Sequence, residues 1–261
     1  MLSQLSRSVR RATGVRSLST SAPYVIPEFP SLLEDIERDA AKNKFIKVSK
    51  LTNLFKQVTT KEQLDTATQV FKVYERKFID PTENTAGEFL KACLKHDAGD
   101  VALTAFANNF RVGLFVTAGP LNKLLAHFHA KNDDASIVAT FDETNKYDIK
   151  LNATTYRYVI NALLRSGDAD KALELINTAA SKKSLAVDTC NEAITLLVEA
   201  GAHDKVSDVV AAMTSNGIEA NDATKALADA AAAATAAVEE ATIEEPSAEV
   251  ETDEAKDKPS A

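Results

Sequence analysis

Residue types recur along this 261-residue chain at a step of 35, and that period constrains the fold more than any other feature. Ala67, Ala102, Ile137, Ala172 and Val206 stand 35, 35, 35 and 34 residues apart. Each is followed four positions later by a larger apolar residue, namely Phe71, Phe106, Phe141, Ile176 and Val210. Positions i and i+4 share one face of a helix. Ahead of these pairs the chain stops on Asp97, Asn132, Gly167 and Gly201, and Asp65, Asp100, Asp170 and Asp204 mark helix openings. Gly and Asn end helices because they tolerate a left-handed backbone, and Asp favours the first turn, where the macrodipole attracts negative charge.

A second helix precedes each of these. In TTYRYVINALLRSGDADKALELI the apolar residues Tyr156, Val159, Ile160, Leu163 and Leu164 follow the i, i+3, i+4, i+7, i+8 pattern. Its partner helix presents Ala169, Ala172, Leu173 and Ile176. The unit is therefore an antiparallel helix pair whose two apolar stripes one hairpin cannot cover, so neighbouring units must stack. Five such units, over residues 47–221, predict an all-α, right-handed solenoid of antiparallel helix pairs with disordered termini.

The flanks differ from the array in charge. The formal net charge is -8, but residues 1–18 carry Arg7, Arg10, Arg11 and Arg16 and no acid, whereas residues 222–261 carry eleven acids and three lysines. By difference, residues 19–221 hold about -4. The first 18 residues are rich in Arg and Ser, with Leu2, Leu5 and Val9 on one helical face. These are the features of a mitochondrial presequence, and Arg16 three residues ahead of a cut after Leu18 suits a matrix protease. The expected location is the mitochondrial matrix. Residues 19–46 predict an extended leading segment around Pro23, Pro27 and Pro30. A capping helix follows, opened by Ser31 and Glu34 as a capping box, whose Leu32, Leu33 and Ile36 cover the open end of the array. Residues 222–242 are so Ala-rich that a helix forms at little cost, and residues 243–261 lack core-forming residues and predict an acidic disordered tail.

No catalytic constellation, cofactor loop or metal spacing is evident, and an enzyme is not expected. His127 and His129 are two apart and point to different helix faces, while His96 and His203 sit beside turns. Cys93 and Cys190, far apart on first helices, read as small buried hydrophobes. No apolar run approaches the roughly 20 residues that span a bilayer, and no small-molecule substrate is implied.

The stretches IKLNATTYRYVINALLRSGDADKALELI and IEANDATKAL resemble the pentatricopeptide pattern, rather than the 34-residue, Trp-bearing tetratricopeptide one. SAPYVIPEF, LFKQVTTKEQLDTATQVFKVYERK and LKACLKHDAGDVALTAFANNFRVGLFVTAGPLNKLLAHFHAKND further resemble the pentatricopeptide proteins of the mitochondrial small ribosomal subunit. The resemblance implies small-subunit rRNA and ribosomal proteins as partners. Pentatricopeptide proteins read single-stranded RNA one base per repeat through a side chain early in the first helix and one at the end of the unit. Carried onto this chain, the early positions are Gly87, Asn122, Arg157 and Asn191 and the unit ends Thr117, Asn152, Ala186 and Asn221. Only Asn122 with Asn152 and Asn191 with Asn221 match in type, so the array carries no complete base-by-base code.

Lysines form local clusters: Lys42, Lys44, Lys47 and Lys50 near the start, Lys91 and Lys95 in the second unit, and Lys182 and Lys183 at a junction. The first cluster is the candidate for contact with an RNA backbone, because phosphate neutralisation dominates such affinity. Three functions fit these features: a scaffold of the mitochondrial small ribosomal subunit, a pentatricopeptide factor binding specific mitochondrial transcripts, or a non-RNA scaffold subunit of another matrix complex.

Overall fold

The computed structural model describes residues 25–108, 110–147 and 149–243; for Phe110 and residues 235–243 it describes the backbone alone. The expected presequence, its cut after Leu18 and the acidic tail beyond residue 243 lie outside the described residues. Among them every regular element is helical.

A leading helix, α1 (Phe29–Ala41), is followed by helix pairs. The first is α2 (Val48–Lys56) with α3 (Lys61–Arg76). The second is α4 (Glu83–Lys95) with α5 (Gly99–Asn108), which continues after one residue as the single turn α6 (Phe110–Gly113). Next come α7 (Ala118–Ala130) with α8 (Asp134–Thr144), and α9 (Ala153–Arg165) with α10 (Ala169–Ser181). Then α11 (Val187–Glu199) pairs through a 3-10 turn (His203–Lys205) with α12 (Val206–Ser215), and α13 (Asp222–Ile243) ends the row. First helices stack on one another in order, α2 on α4, α4 on α7, α7 on α9, α9 on α11 and α11 on α13. Behind them α5 packs on α8 and α10 on α12. The core is thus a continuous seam between two rows of helices, as a one-dimensional array requires.

The period is visible in what is buried. Ala67, Ala102, Ile137, Ala172 and Val206 all lie in the seam, and so do Phe71, Phe106 and Ile176, while Phe141 and Val210 pack against its edge. Three of the five first positions, Ala67, Ala102 and Ala172, are alanines with no exposed surface. In α9 all five apolar positions are buried. Phe55, Phe71 and Phe89 join the first two pairs through ring contacts of 5.2 to 5.3 Å, with the tilted and edge-on geometry that aromatic quadrupoles favour. Cys93 and Cys190 are buried, and burial pushes both thiols up, that of Cys190 to about 11.

Eight helices end in one backbone closure. Asn43, Phe78, Asp97, Asn132, Gly167, Lys183, Gly201 and Gly217 adopt positive φ between 49 and 82°. In each case the next amide reaches back to a carbonyl in the preceding turn, as Ala98 N does to Cys93 O at 2.9 Å and Asp168 N to Leu163 O at 2.9 Å. This is the Schellman motif. Helix starts use Thr60, Thr82, Asp133 and Asn152, whose side chains accept the amide three residues on.

Two expected helix starts differ. Ser31 and Glu34 do not form a capping box: α1 already begins at Phe29 with Glu28 as its N-cap and Pro30 in the first turn. Proline fits there because the first turn has no intrahelical partner for its missing N–H, and Phe29 is buried, which draws that turn onto the core. Asp65 does not open a helix either. It lies a full turn into α3, because Thr60 caps the helix and Gln63 Oε1 receives Thr59 N at 2.9 Å.

Candidate nucleic-acid interface

The positions expected to display side chains to RNA sit where each unit meets the next. The early position of a first helix lies beside the start of the following first helix, because those helices stack in parallel rows. Asn122 on α7 donates through Nδ2 to Asn152 Oδ1 at 2.9 Å, and its Oδ1 accepts the Thr155 hydroxyl at 2.6 Å. Asn152 Oδ1 also accepts Thr155 N at 3.1 Å, so the same oxygen caps α9. Two units on, the arrangement recurs: Asn191 Nδ2 approaches Asn221 Oδ1 at 3.4 Å, the Thr224 hydroxyl donates to Asn191 Oδ1 at 2.6 Å, and Asn221 Oδ1 caps α13 through Thr224 N at 2.8 Å. At the first junction threonines replace the asparagines, with Thr52 Oγ1 2.7 Å from Thr85 Oγ1 and Thr82 capping α4.

These networks are first of all structural. Each buried hydroxyl of Thr85, Thr155 and Thr224 finds its partner in the preceding unit, and a buried polar atom without one would be destabilising. What stays available is the Nδ2 of Asn152 and Asn221, two exposed residues whose amide nitrogens make no hydrogen bond among the described residues. The intervening junctions lack the network: Gly87 has no side chain, and Ala186 provides no side-chain cap for α11.

Arg157 occupies the early position of α9 but turns to Glu192 on α11, donating from both Nε, at 2.7 Å, and a terminal nitrogen. Asn161 Nδ2 donates to the same carboxylate at 2.6 Å. Burial would raise the Glu192 carboxyl, but the hydrogen bonds from Arg157 and Asn161 outweigh it and hold it below its ordinary range. The surrounding groove is bordered by His129, whose ring lies 5.4 Å from that of Tyr158, and by Arg165, which clamps Asp134 at 2.8 to 3.2 Å. Arg157 is thus a strut between units, and its guanidinium is already matched.

The lysine cluster divides. Lys50 is held by Asp39 at 2.7 Å and Asp35 at 3.7 Å. That hydrogen bond keeps the Asp39 carboxyl low. Lys42, Lys44 and Lys47 are exposed, and none makes an ion pair within 4.0 Å among the described residues. They surround the α1–α2 loop, which touches the end of α3 where Lys77 Nζ donates to Asn43 Oδ1 at 3.2 Å and the Tyr74 hydroxyl to Lys47 O at 3.1 Å.

Three features of the site are not among the sequence expectations. Thr85, Thr155, Thr189 and Thr224, all buried, recur at the third position of four first helices, and that spacing was a signal in plain view. Lys77 joins the cluster only through the fold. Phe45 and Phe78 are 78% and 87% exposed beside it, where an aromatic ring would be expected inside. Among the described residues no group of three or more His, Cys, Asp or Glu is placed to hold a metal, and no helix is long and apolar enough to cross a membrane.

No protein-family model matches the chain, and no curated protein matches it. Among solved structures it is similar in shape to the crystal structure of the pentatricopeptide repeat protein PPR10 from maize, at 17% identity and a TM-score of 0.45. The match covers 84% of this chain and 32% of that one, so the chain spans about a third of the length of the protein it matches.

Proposed function

We propose that this chain is a helical-repeat scaffold of a ribonucleoprotein, and that the particle is the mitochondrial small ribosomal subunit. It would hold rRNA by its phosphate backbone through Lys42, Lys44 and Lys47, and neighbouring proteins along the array. The observation that carries this reading is the use made of the unit junctions. Asn122, Asn191 and Arg157 are spent on caps and struts between helices, while Lys42, Lys44 and Lys47, which make no ion pair among the described residues, cluster with Lys77 at one corner of the first unit. An array built that way suits backbone contact better than sequence readout, since phosphate contacts position a protein and base contacts specify. The presequence-like N-terminus and the resemblance of the leading segments to small-subunit proteins support the particle and the matrix location.

A transcript-specific factor is the second reading, favoured by one observation. Asn152 and Asn221 are exposed at equivalent places two units apart, and their amide nitrogens, without a hydrogen bond among the described residues, could each donate to a base edge. Sedimentation of the endogenous protein from gently lysed mitochondria separates the readings. Co-migration with the small subunit, lost on magnesium removal and ribonuclease treatment, is expected for the ribosomal scaffold. A light species that binds one RNA sequence far better than others would establish the factor, and migration with a ribonuclease-resistant assembly would leave a non-RNA matrix scaffold.

A further inference from the structure

Local rules of folding are broken three times at one corner of the molecule. Phe78 ends α3 at φ 54°, the left-handed position that Asn or Gly fills at Asn43, Asn132, Gly167, Gly201 and Gly217 and that Asp97 and Lys183 also occupy; of these eight residues Phe78 alone carries an aromatic ring. A bulky side chain is strained there, and strain without a packing gain is a mark of function. No packing gain exists, since the ring is 87% exposed. Lys47 is the N-cap of α2 with no side-chain cap, placing a cation where the helix dipole disfavours it. Phe45, next to the fully buried Ile46, projects its ring outward at 78% exposure.

The two loops are fixed relative to each other. Ile46 is in the core and Ile79 packs against it, Tyr74 bonds to Lys47 O, and Lys77 bonds to Asn43. Both rings therefore sit on backbone anchored from beneath, without touching the core themselves. Three carboxylates near the loops have cation partners: Asp39 with Lys50, Asp35 with Arg38 and Asp80 with Arg111. Residues 41–50 hold four lysines and no acid, so the corner is positive although the chain as a whole is at -8.

We propose that the loops 42–47 and 77–79 form a stacking site for the bases of single-stranded RNA. Phe45 and Phe78 are the platforms, and Lys42, Lys44, Lys47 and Lys77 hold the adjoining phosphates. Exposed rings set among unmatched cations are the arrangement by which proteins hold single strands without reading sequence, because every base has a π-face. A duplex keeps its bases stacked and offers these rings nothing. The inference rests on the RNA-scaffold reading above and deepens it, from contact with a backbone to capture of an unpaired segment.

The test titrates the whole chain into a labelled oligouridylate of about twelve nucleotides, within the site sizes such grooves cover, and into a duplex of equal length, by fluorescence anisotropy across a salt series. The single strand is expected to bind better. Replacing both rings (Phe45→Ala with Phe78→Asn) is expected to weaken binding about tenfold or more, with the salt slope unchanged because stacking displaces no counterions. Lys42→Gln, Lys44→Gln and Lys47→Gln are each expected to flatten the slope by about 0.7. Phe78→Asn alone is expected to raise the melting temperature by relieving the strain. Ring variants that bind like the wild type, or equal affinity for duplex, would overturn the stacking site and leave backbone contact standing. A lower melting temperature for Phe78→Asn would assign the ring to the fold and overturn the proposal. Absence of any RNA binding by the wild type, as for a surface that docks a protein, would overturn both the site and the reading beneath it.

Discussion

The two ends of the array close in different ways. At the start, α1 lays Phe29, Leu32 and Ile36 over the first pair, and just inside it Phe55, Phe71 and Phe89 fill the seam with three mutually contacting rings. At the other end α13 covers α11 and α12 with a helix that is half alanine. Within its described side chains only Thr224 and Ala231 are buried, and Leu227 is half-buried. A groove of about 930 Å³ remains open between α12 and α13, bordered by Val206, Val210, Ala228 and Ala231. One end is held by large side chains, the other by backbone propensity and one cap. In a one-dimensional array each unit is supported only by its neighbours. The last unit should therefore open at far lower free energy than the first, and the first is the end able to carry strained, exposed rings.

Truncating the aromatic trio tests that contrast most severely. Phe89→Ala is expected to remove about 3–5 kcal/mol from stability in denaturant melts, whereas Leu227→Ala, on a half-buried side chain, should remove under about 1 kcal/mol. Equal losses would erase the distinction. Next in size is Gly113→Ala, in the middle of the chain. A Cβ there would lie 2.2 Å from the Tyr147 ring, whose hydroxyl is tied to Phe106 O at 3.1 Å. The ring cannot yield freely, and a loss of about 1–3 kcal/mol is expected.

The paired caps sharpen the comparison, because their geometry is alike and their surroundings differ. Asn152→Ala and Asn221→Ala should each remove about 1 kcal/mol. In native-state hydrogen exchange, Asn221→Ala should raise exchange in α13 and α12 and leave α2 to α4 protected, while Asn152→Ala should be felt on both sides of α9. Exchange rising uniformly along the chain after Asn221→Ala would mean the array unfolds as one unit.

The smallest expected effect is on pH dependence. Glu192 is held below its ordinary range in the folded chain, so its contribution is present at and above the ordinary carboxylate range and is lost as pH falls through the lowered value. Its side chain is 34% exposed, so solvent screening keeps the effect under about 1 kcal/mol. Glu192→Gln should flatten the acid side of the stability profile slightly. A steepening there would mean that Arg157 and Asn161 do not stabilise the charged form.

The helices were legible because their signals are local and repeated. The i, i+3, i+4 stripe of α9 and the stop residues Asp97, Asn132, Gly167 and Gly201 depend on backbone geometry within a few positions. Helix starts were read less well. At Asp65 and at Ser31 a good capping residue stood near the helix opening, and a competing cap or a buried Phe29 decided the start. The candidate site was legible only in part: Lys42, Lys44 and Lys47 are exposed cations, but Lys50 and Arg157 met carboxylates 11 and 35 residues away. Pairing of that range leaves no mark in a window of sequence.

What the sequence alone determined was therefore the period and the helix pair, since a 35-residue recurrence of small and large apolar residues cannot be buried except by stacking. Which polar groups would be left over was decided by the tertiary structure. Stacking brings residue 122 beside 155, 191 beside 224 and 77 beside 43. Only that juxtaposition turns an early asparagine into part of a cap, and two ordinary phenylalanines into exposed rings among unmatched lysines.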